Sequence, residues 1–541
     1  MDDRPAVNSV SRQTDQHQQI ADAPDVVVKN RFHRTGQNFP SFKTRRNNPK
    51  PLLRSSAKPD CGASNPRRFS EFRQLASNCR PLAGIPFGHV IVLGMGHPTL
   101  QELRQKDRDH HIHPFTNHAD MHREGTRWIK RGDGCYLVDE EDRRLLDGLA
   151  GLWCVNVGYN CAAIVQAVHA QMEALPYYPS FFNSTTEPPV LLAEWLAKHA
   201  PARLNRVIYS NSGSESNETA LKIIRGYWKL RSKPTKRKIL SREFAYHGVT
   251  LAATSLTGLP SCVDPFDLPL ENFVKIPAPY GWNDRAEATE AYGADVVART
   301  AEIIDREGAD TIAAMFVEPI QGAGGVIVPP PGYLQALRQL CRERDILFVA
   351  DEVITAFGRL GCWFASEREG LEPDLLNVAK GLTSGYLPLG ATLVSDEIAE
   401  VINTGGYFAH GYTYTGHPTC AAAGLANVRV IEDLGLVERV RDDVGPYFQQ
   451  KLAELATHPA VGEVRGDHLI GAAELLPREG REAIGAGLGL GIKAADLVRA
   501  EGAIVRGIRD LVAFAPPLII TRAEIDELFD CTRRGLDRLW N

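Results

Sequence analysis

Short uninterrupted apolar runs alternate with amphipathic stretches from about residue 100 to the C-terminus. The run "RVIYS" precedes "ESNETALKIIRGYWKL", in which apolar residues recur every three or four positions and predict a helix. The run "AAMFVEP" follows another helical stretch, and "ILFVADEV" follows "PGYLQALRQLCRERD". Strands apolar throughout, separated by helices, predict an α/β fold with a parallel sheet covered on both faces. Upstream, "GCYLVDEEDRRLLDGLAG" reads as two short strands around an acidic turn, with "DEEDRR" solvated. Beyond about residue 425, helical sequence with a few strands predicts a smaller C-terminal domain. Residues 1–94 show almost no sustained periodicity.

Charge separates the same segments. Residues 1–94 hold 15 Lys+Arg against 7 Asp+Glu, a net +8, whereas the remainder holds 46 against 59, a net −13. The first segment, rich in Pro, Arg, Ser, Asn and Gln, has the composition of a disordered chain. A basic tail, an organelle transit peptide and upstream sequence read from a misplaced start all fit it. Asp2, Asp3 and Asp15 count against a transit peptide. A functional start near Met95 is the preferred expectation. The acidic body gives no case for nucleic-acid binding as the main task. No apolar run reaches membrane-spanning length, and the N-terminus lacks the apolar core of a secretory signal. Ten cysteines without a C-x-x-C pair support neither a zinc ribbon nor a thioredoxin motif, so unpaired thiols in the cytoplasm are expected.

Candidate chemistry lies in the apolar body. "NVAKGLTSGYLPLG" sets Lys380 among small and apolar residues with no acid beside it. It is either a surface lysine whose stem covers its neighbours or an amine neutral enough to attack a carbonyl. "VIYSNSGSESNETALKI" is a strand, a small-residue turn and a helix. The N–H groups and hydroxyls of Ser212, Gly213 and Ser214 suit a phosphate at the helix N-terminus, and the same residue types suit an ordinary cap. Asp351 closes the apolar run of "ILFVADEVITAFGR", where open α/β sheets bind ligands. It would act as a cap, an ion-pair member or the partner of a protonated ring nitrogen. Val353, two residues on, would press on a ring face. Tyr246 in "AYHGVT" would stack on a planar cofactor or pack in the core.

Two other patterns carry less. "DHHIHPFTNHADMH" is histidine-dense, but its spacing matches no compact site, so no metal is expected. "GAGLGLG" (485–491) mimics a dinucleotide loop without the preceding strand or the downstream acid.

These signals occur in the order phosphate cradle, aromatic-His-Gly, Asp-x-Val and lone lysine. Together with "DGLAGLWCVNVGY", "VEPIQGAGGVIVPP", "GYTYTGHPTCAA" and "FAPPLIITRAEIDE", the chain resembles the class III (omega) aminotransferases. These are fold type I enzymes that use pyridoxal 5′-phosphate. The resemblance spans about residue 105 to the C-terminus and is most similar to pyruvate-dependent amine, polyamine (putrescine) and omega-amino-acid transaminases. It implies a large domain over residues 171–424, with a mostly parallel seven-stranded sheet sandwiched by helices. A smaller domain would come from residues 95–170 and 425–541. The implied reaction moves an amino group from a primary amine to pyruvate, giving an aldehyde and alanine. The rival expectation is a class III enzyme of another kind: a 2-oxoglutarate-dependent transaminase, a racemase or isomerase, or a decarboxylase. A homodimer or tetramer is implied, with no nucleic-acid or membrane partner.

By motif, the resemblance makes Lys380 the Schiff-base lysine and Asp351 the partner of the pyridine N–H. Val353 and Tyr246 would sandwich the ring, and Ser212, Gly213 and Ser214 would hold the phosphate, with His247 and Glu318 also at the cofactor. Thr413 would supply a hydroxyl to the neighbouring subunit. Phe115, Trp153 and Tyr246 would form the aromatic wall of the substrate pocket, and Arg506 would bind the acceptor's carboxylate. Many relatives read "VEPIQGE" where this chain has Ala323, which would leave Arg506 without the glutamate that pairs with it. Arg509 stands where relatives commonly carry Asp and is expected to alter the charge of the pocket edge.

Overall fold

The computed structural model describes residues 98–541 apart from 202, 281–287, 479–487 and 541. The expected tail and the expected start at Met95 lie outside the described residues, as does the beginning of "GAGLGLG". The strands β1 (Ile129–Asp133), β2 (Tyr136–Asp139) and β3 (Arg144–Asp147) form an antiparallel meander. The turn joining β2 to β3 is exposed from Glu141 to Arg144 as expected, but its first residue turns inward. Asp139 is fully buried, and its carboxylate accepts the N–H groups of Glu141 and Arg143 at 3.0 Å and the Arg143 guanidinium at 2.9 Å. A carboxylate that satisfies turn N–H groups from inside is shielded by the turn it closes.

The central sheet is built from β4 (Arg206–Ser210), β5 (Lys238–Arg242), β6 (Phe273–Ile276), β7 (Ile312–Val317), β8 (Leu347–Asp351), β9 (Leu375–Val378) and β10 (Gly390–Val394). Their order is β4-β10-β9-β8-β7-β5-β6. β10 pairs antiparallel with both neighbours, and every other pair is parallel, so the sheet is mostly parallel as expected. Successive side chains leave opposite faces. Ala314, Phe316, Leu347 and Val349 share a core with the helix Gly213–Leu230. Met315, Val317 and Phe348 pack with the helices Glu290–Glu307 and Tyr333–Glu343 on the other side. Burial on both faces explains why these strands read as continuous apolar runs.

Toward the C-terminus come β11 (Val461–Asp467), β12 (Ile470–Leu475), β13 (Ala503–Ile504), β14 (Arg506–Ile508) and β15 (Leu511–Phe514). Four of them form an antiparallel sheet in the order β11-β12-β15-β14, while β13 pairs in parallel with β3. N-terminal and C-terminal segments thus share a sheet, and Pro98–Asn541 forms one compact unit. Among the described residues, no helix is long and apolar enough to cross a membrane.

Candidate active site

The turn after β4 becomes a helix because its small polar residues satisfy the first N–H groups. Ser212 is the N-cap, its Oγ accepting the Glu215 N–H at 3.2 Å, and the Glu215 carboxylate accepts the Asn211 N–H at 2.7 Å. The Ser214 Oγ accepts the Val249 N–H at 3.1 Å. The cap reading of this stretch holds, and it is compatible with the phosphate reading, since the hydroxyl oxygens accept while their protons can still donate. Among the described residues, the N–H groups of Gly213 and Ser214 have no partner, and both residues line a cavity of about 410 Å³. Orphan N–H groups at a helix start are a ready anion site. The wall behind them is tight. A Cβ at Gly248, whose φ is +129°, would stand 2.3 Å from the Ser214 Oγ.

Across this cavity β8 ends in Asp351, at the carboxyl edge of the sheet. Its Oδ1 accepts the Val353 N–H at 3.2 Å, while Oδ2 lies 2.9 Å from Asn217 Nδ2 and 2.7 Å from His247 Nδ1. Val353 lines the cavity and comes within 3.1 Å of where a Cβ on Gly213 would be. His247 also lines it, though its ring is turned onto Asp351. Tyr246 lines the same space, and burial pushes its phenol above the ordinary range. Glu318 is buried beside it, accepting the N–H groups of Tyr246 at 3.0 Å and Gly322 at 3.3 Å. Burial raises this carboxyl from its ordinary range.

Lys380 follows β9 and opens a single 3₁₀ turn, Lys380–Leu382, with φ at +40°. That left-handed conformation is uncommon for a lysine, and such strain gathers at functional sites. Its ammonium has no hydrogen-bond or ion-pair partner among the described residues and stands 5.5 Å from the centre of the Trp153 ring. Burial pushes its pKa below the ordinary lysine range, against the opposing charge of Asp351. Trp153 is buried beneath the amine rather than along the cavity wall, which its neighbour Cys154 lines instead. A Cβ at Gly322 would meet the Trp153 Cζ3 at 2.8 Å, so this ring needs the glycine.

The remaining expected residues do not line this cavity in the single chain, although Arg506 is near enough to Tyr246 for its charge to oppose the rise of that phenol's pKa. Phe115 is 72% exposed and outside the cavity lining, so it forms no wall there. Thr413 is exposed too, its carbonyl accepting the Tyr177 hydroxyl at 2.6 Å. Arg506 is exposed on β14 and has no ion-pair partner among the described residues. Arg509 does not stand at the pocket edge as a free charge. Its guanidinium donates to the Gly324 carbonyl at 2.7 Å and lies 5.1 Å from the Phe244 ring centre, tying down the loop that contains Ala323. The histidine-rich segment brings Asp107, His111 and His113 together, but they satisfy one another. Asp107 Oδ1 lies 3.1 Å from His111 Nδ1 and 2.8 Å from His113 Nε2, with the Thr126 hydroxyl on Oδ2 at 2.6 Å. Asn217 was not singled out in the sequence; its position one turn into the helix that begins at Gly213 is the signal that points to it.

An unpaired pair of helix N–H groups, a buried carboxylate and a partner-free amine in one cavity fit a phosphorylated pyridine aldehyde. Residues 118–535 match the family model of class-III aminotransferases. The chain belongs to that family. Its enzymes transfer amino groups with pyridoxal 5′-phosphate, which when bound supplies an aldehyde to receive the amino group and a protonated ring to withdraw electrons. Putrescine–pyruvate aminotransferase of Pseudomonas aeruginosa is 41% identical over 439 residues, 81% of this chain and 96% of the relative. Diaminobutyrate–2-oxoglutarate transaminase of Halomonas elongata is 37% identical, over 82% of this chain and 97% of that protein. An (S)-enantioselective omega-transaminase from Thermomicrobium roseum superposes with a TM-score of 0.79 at 40% identity, covering 82% of this chain and all 100% of that one. The omega-transaminase of Pseudomonas jessenii in complex with PMP gives 0.78 at 36% identity, covering 81% and 98%.

Proposed function

We propose that this chain moves the amino group of a primary amine, either putrescine or another polyamine or an omega-amino acid, to pyruvate. The observation that carries the acceptor assignment is Ala323. This apolar residue packs in the same cluster as Ile508 and stands where many relatives have the glutamate that pairs with the acceptor-binding arginine. Arg506, on the same face of β14 as Ile508, is then left for the carboxylate of a small keto acid. The 41% identity to a putrescine–pyruvate aminotransferase points the same way. Relatives that use 2-oxoglutarate support the second reading, with that acceptor in pyruvate's place.

In this reading Lys380 bonds the cofactor and later acts as the base. Burial lowers the pKa of Nζ and so favours the neutral amine, which would take a proton from the substrate's α-carbon and return it during the transfer. Asp351 serves the ring nitrogen, Gly213 and Ser214 the phosphate, and Val353 and Tyr246 the two ring faces. The test is a panel of putrescine, cadaverine, spermidine, β-alanine, taurine and 1-phenylethylamine, each with pyruvate and with 2-oxoglutarate. Alanine formation with ping-pong kinetics is expected. Glutamate formed at a comparable rate would move the assignment to the second reading.

The working unit in this proposal is a homodimer. Phe115 (72%), Phe182 (85%) and Tyr407 (85%) are large apolar side chains exposed in the single chain, and Thr413 is exposed outside the lining of its own chain's cavity. Sedimentation equilibrium tests it, and a fully active monomer would defeat it.

A further inference from the structure

Three adjacent strands carry a row of buried polar side chains on the sheet face that packs against the helix Gly213–Leu230. Asp351 on β8 pairs in register with Asn377 on β9, and Asn377 pairs with Thr392 on β10. Two positions away on the same face, Val349, Leu375 and Val394 all belong to the core packed against the helix Gly213–Leu230. That helix adds Asn217 to the row, and the loop after β5 adds His247. All five residues are buried.

Hydrogen bonds join them into one chain with a fixed direction. Asp351 Oδ2 and the His247 carbonyl only accept, so Asn217 has to present its amide nitrogen to both, at 2.9 and 2.7 Å. Its oxygen then faces Asn377, which presents its own nitrogen at 2.9 Å. The Asn377 oxygen is left for the Thr392 hydroxyl at 2.7 Å. His247 Nδ1 completes the set at 2.7 Å from Asp351 Oδ2. Among the described residues Oδ1 has only the Val353 N–H, at 3.2 Å. A row of amides amid a hydrocarbon core is costly unless each is satisfied, and here each one is satisfied in the single order that ends on Asp351.

We propose that Asn217 and Asn377 are positioning residues, holding the Asp351 carboxylate so that Oδ1 stays available to the cofactor's ring N–H. The proposal rests on the reading of Asp351 as the partner of that nitrogen. In Asn377→Asp the new carboxylate, when ionised, can only accept. Asn217 then has to turn its nitrogen toward residue 377 and its oxygen toward Asp351. Asn217→Ala removes the donor outright and decides the matter should the buried charge of the first variant prevent folding.

The experiment measures dissociation constants of the apo forms of the full chain for pyridoxal 5′-phosphate and for its 1-deaza analogue, which has carbon in place of the ring nitrogen. Folding is checked by circular dichroism. Wild type should prefer the natural cofactor. In both variants that preference should shrink by about tenfold or more, the loss expected for a hydrogen bond to a charged group. If both affinities fall by the same factor and the preference stands, the row is only packing and the proposal is overturned. If wild type itself shows no preference, the reading of Asp351 fails, and the row's role falls with it.

Discussion

His247 Nδ1 stands 2.7 Å from Asp351 Oδ2, with both residues buried and lining the cavity. The contact fixes Nδ1 as the proton-bearing nitrogen of the imidazole whenever the carboxylate is ionised. With Asn217 on the same oxygen and the Val353 N–H on the other, Asp351 accepts every hydrogen bond it makes among the described residues. Such a site suits a carboxylate and suits no neutral replacement of the same size.

Asp351→Asn should therefore fold and lose most activity. An amide there has to turn its nitrogen either to Asn217 and His247 or to the Val353 N–H and the ring N–H, so a donor meets a donor in both orientations, and it cannot neutralise a protonated ring. A hydrogen bond to a charged group at a desolvated site is worth roughly 1.5–3 kcal/mol, or about ten- to hundredfold in rate at least. Turnover measured with saturating cofactor checks it. Activity within about a factor of two of wild type would return Asp351 to a purely structural role.

Lys380→Ala should still bind the cofactor, because the helix N–H groups, Asp351 and the ring-facing side chains do not depend on the amine. Turnover should be lost. In wild type, borohydride treatment followed by peptide mapping should leave the cofactor attached at Lys380. A label on any other lysine would sink the assignment.

Lys380 and Asp351 were legible in the sequence because each is a local anomaly: a lysine among glycines and leucines, and an acid closing an apolar run. The mostly parallel sheet was legible for the same local reason, that strands buried on both faces cannot alternate. Asn377 and Thr392 were not, because only the register of β9 between β8 and β10 brings them to Asp351. Asp139 looked solvated inside its charged run, yet the turn folds over it. Arg509 looked like a pocket charge, since nothing near it in the chain announces that the Gly324 carbonyl arrives from a loop far upstream.

Lys275 supplies a pH dependence unrelated to the active site. Its ammonium donates to the Ser241 hydroxyl at 2.8 Å and to the carbonyls of Ser255 and Leu256 at 2.9 and 2.7 Å, the last two closing the helix Leu251–Leu256. Burial lowers its pKa to about 7. In the unfolded chain the value is about 10.4. Below about pH 7 both states hold the proton, and the cost of burying the charge stands in full. As pH rises past that point folding releases a proton, so stability increases, by at most about 1.4 kcal/mol per pH unit. Lys275→Met removes the titration while keeping the apolar stem. Urea unfolding of both proteins at about pH 6 and about pH 9 should show wild type gaining on the variant at the higher pH. A constant difference would mean that the amine stays charged throughout.

The last prediction concerns how one pocket serves two unlike substrates. A diamine brings positive charge and pyruvate brings a carboxylate, yet both react at the same place. A fixed buried arginine would repel the first. Arg506 is exposed on β14, has no ion-pair partner among the described residues, and sits on a strand whose neighbour in the core is the apolar Ala323 loop. It is free to pair with a carboxylate through both nitrogens and to withdraw to solvent when an amine enters. Arg506→Ala should raise the KM for pyruvate by about tenfold or more. The half-reaction with a simple monoamine, which has no carboxylate to lose, should change by less than about twofold. Stopped-flow measurement of each half-reaction separates the two. Equal damage to both would make Arg506 structural, and unchanged pyruvate kinetics would send the search to another cation at the cavity mouth.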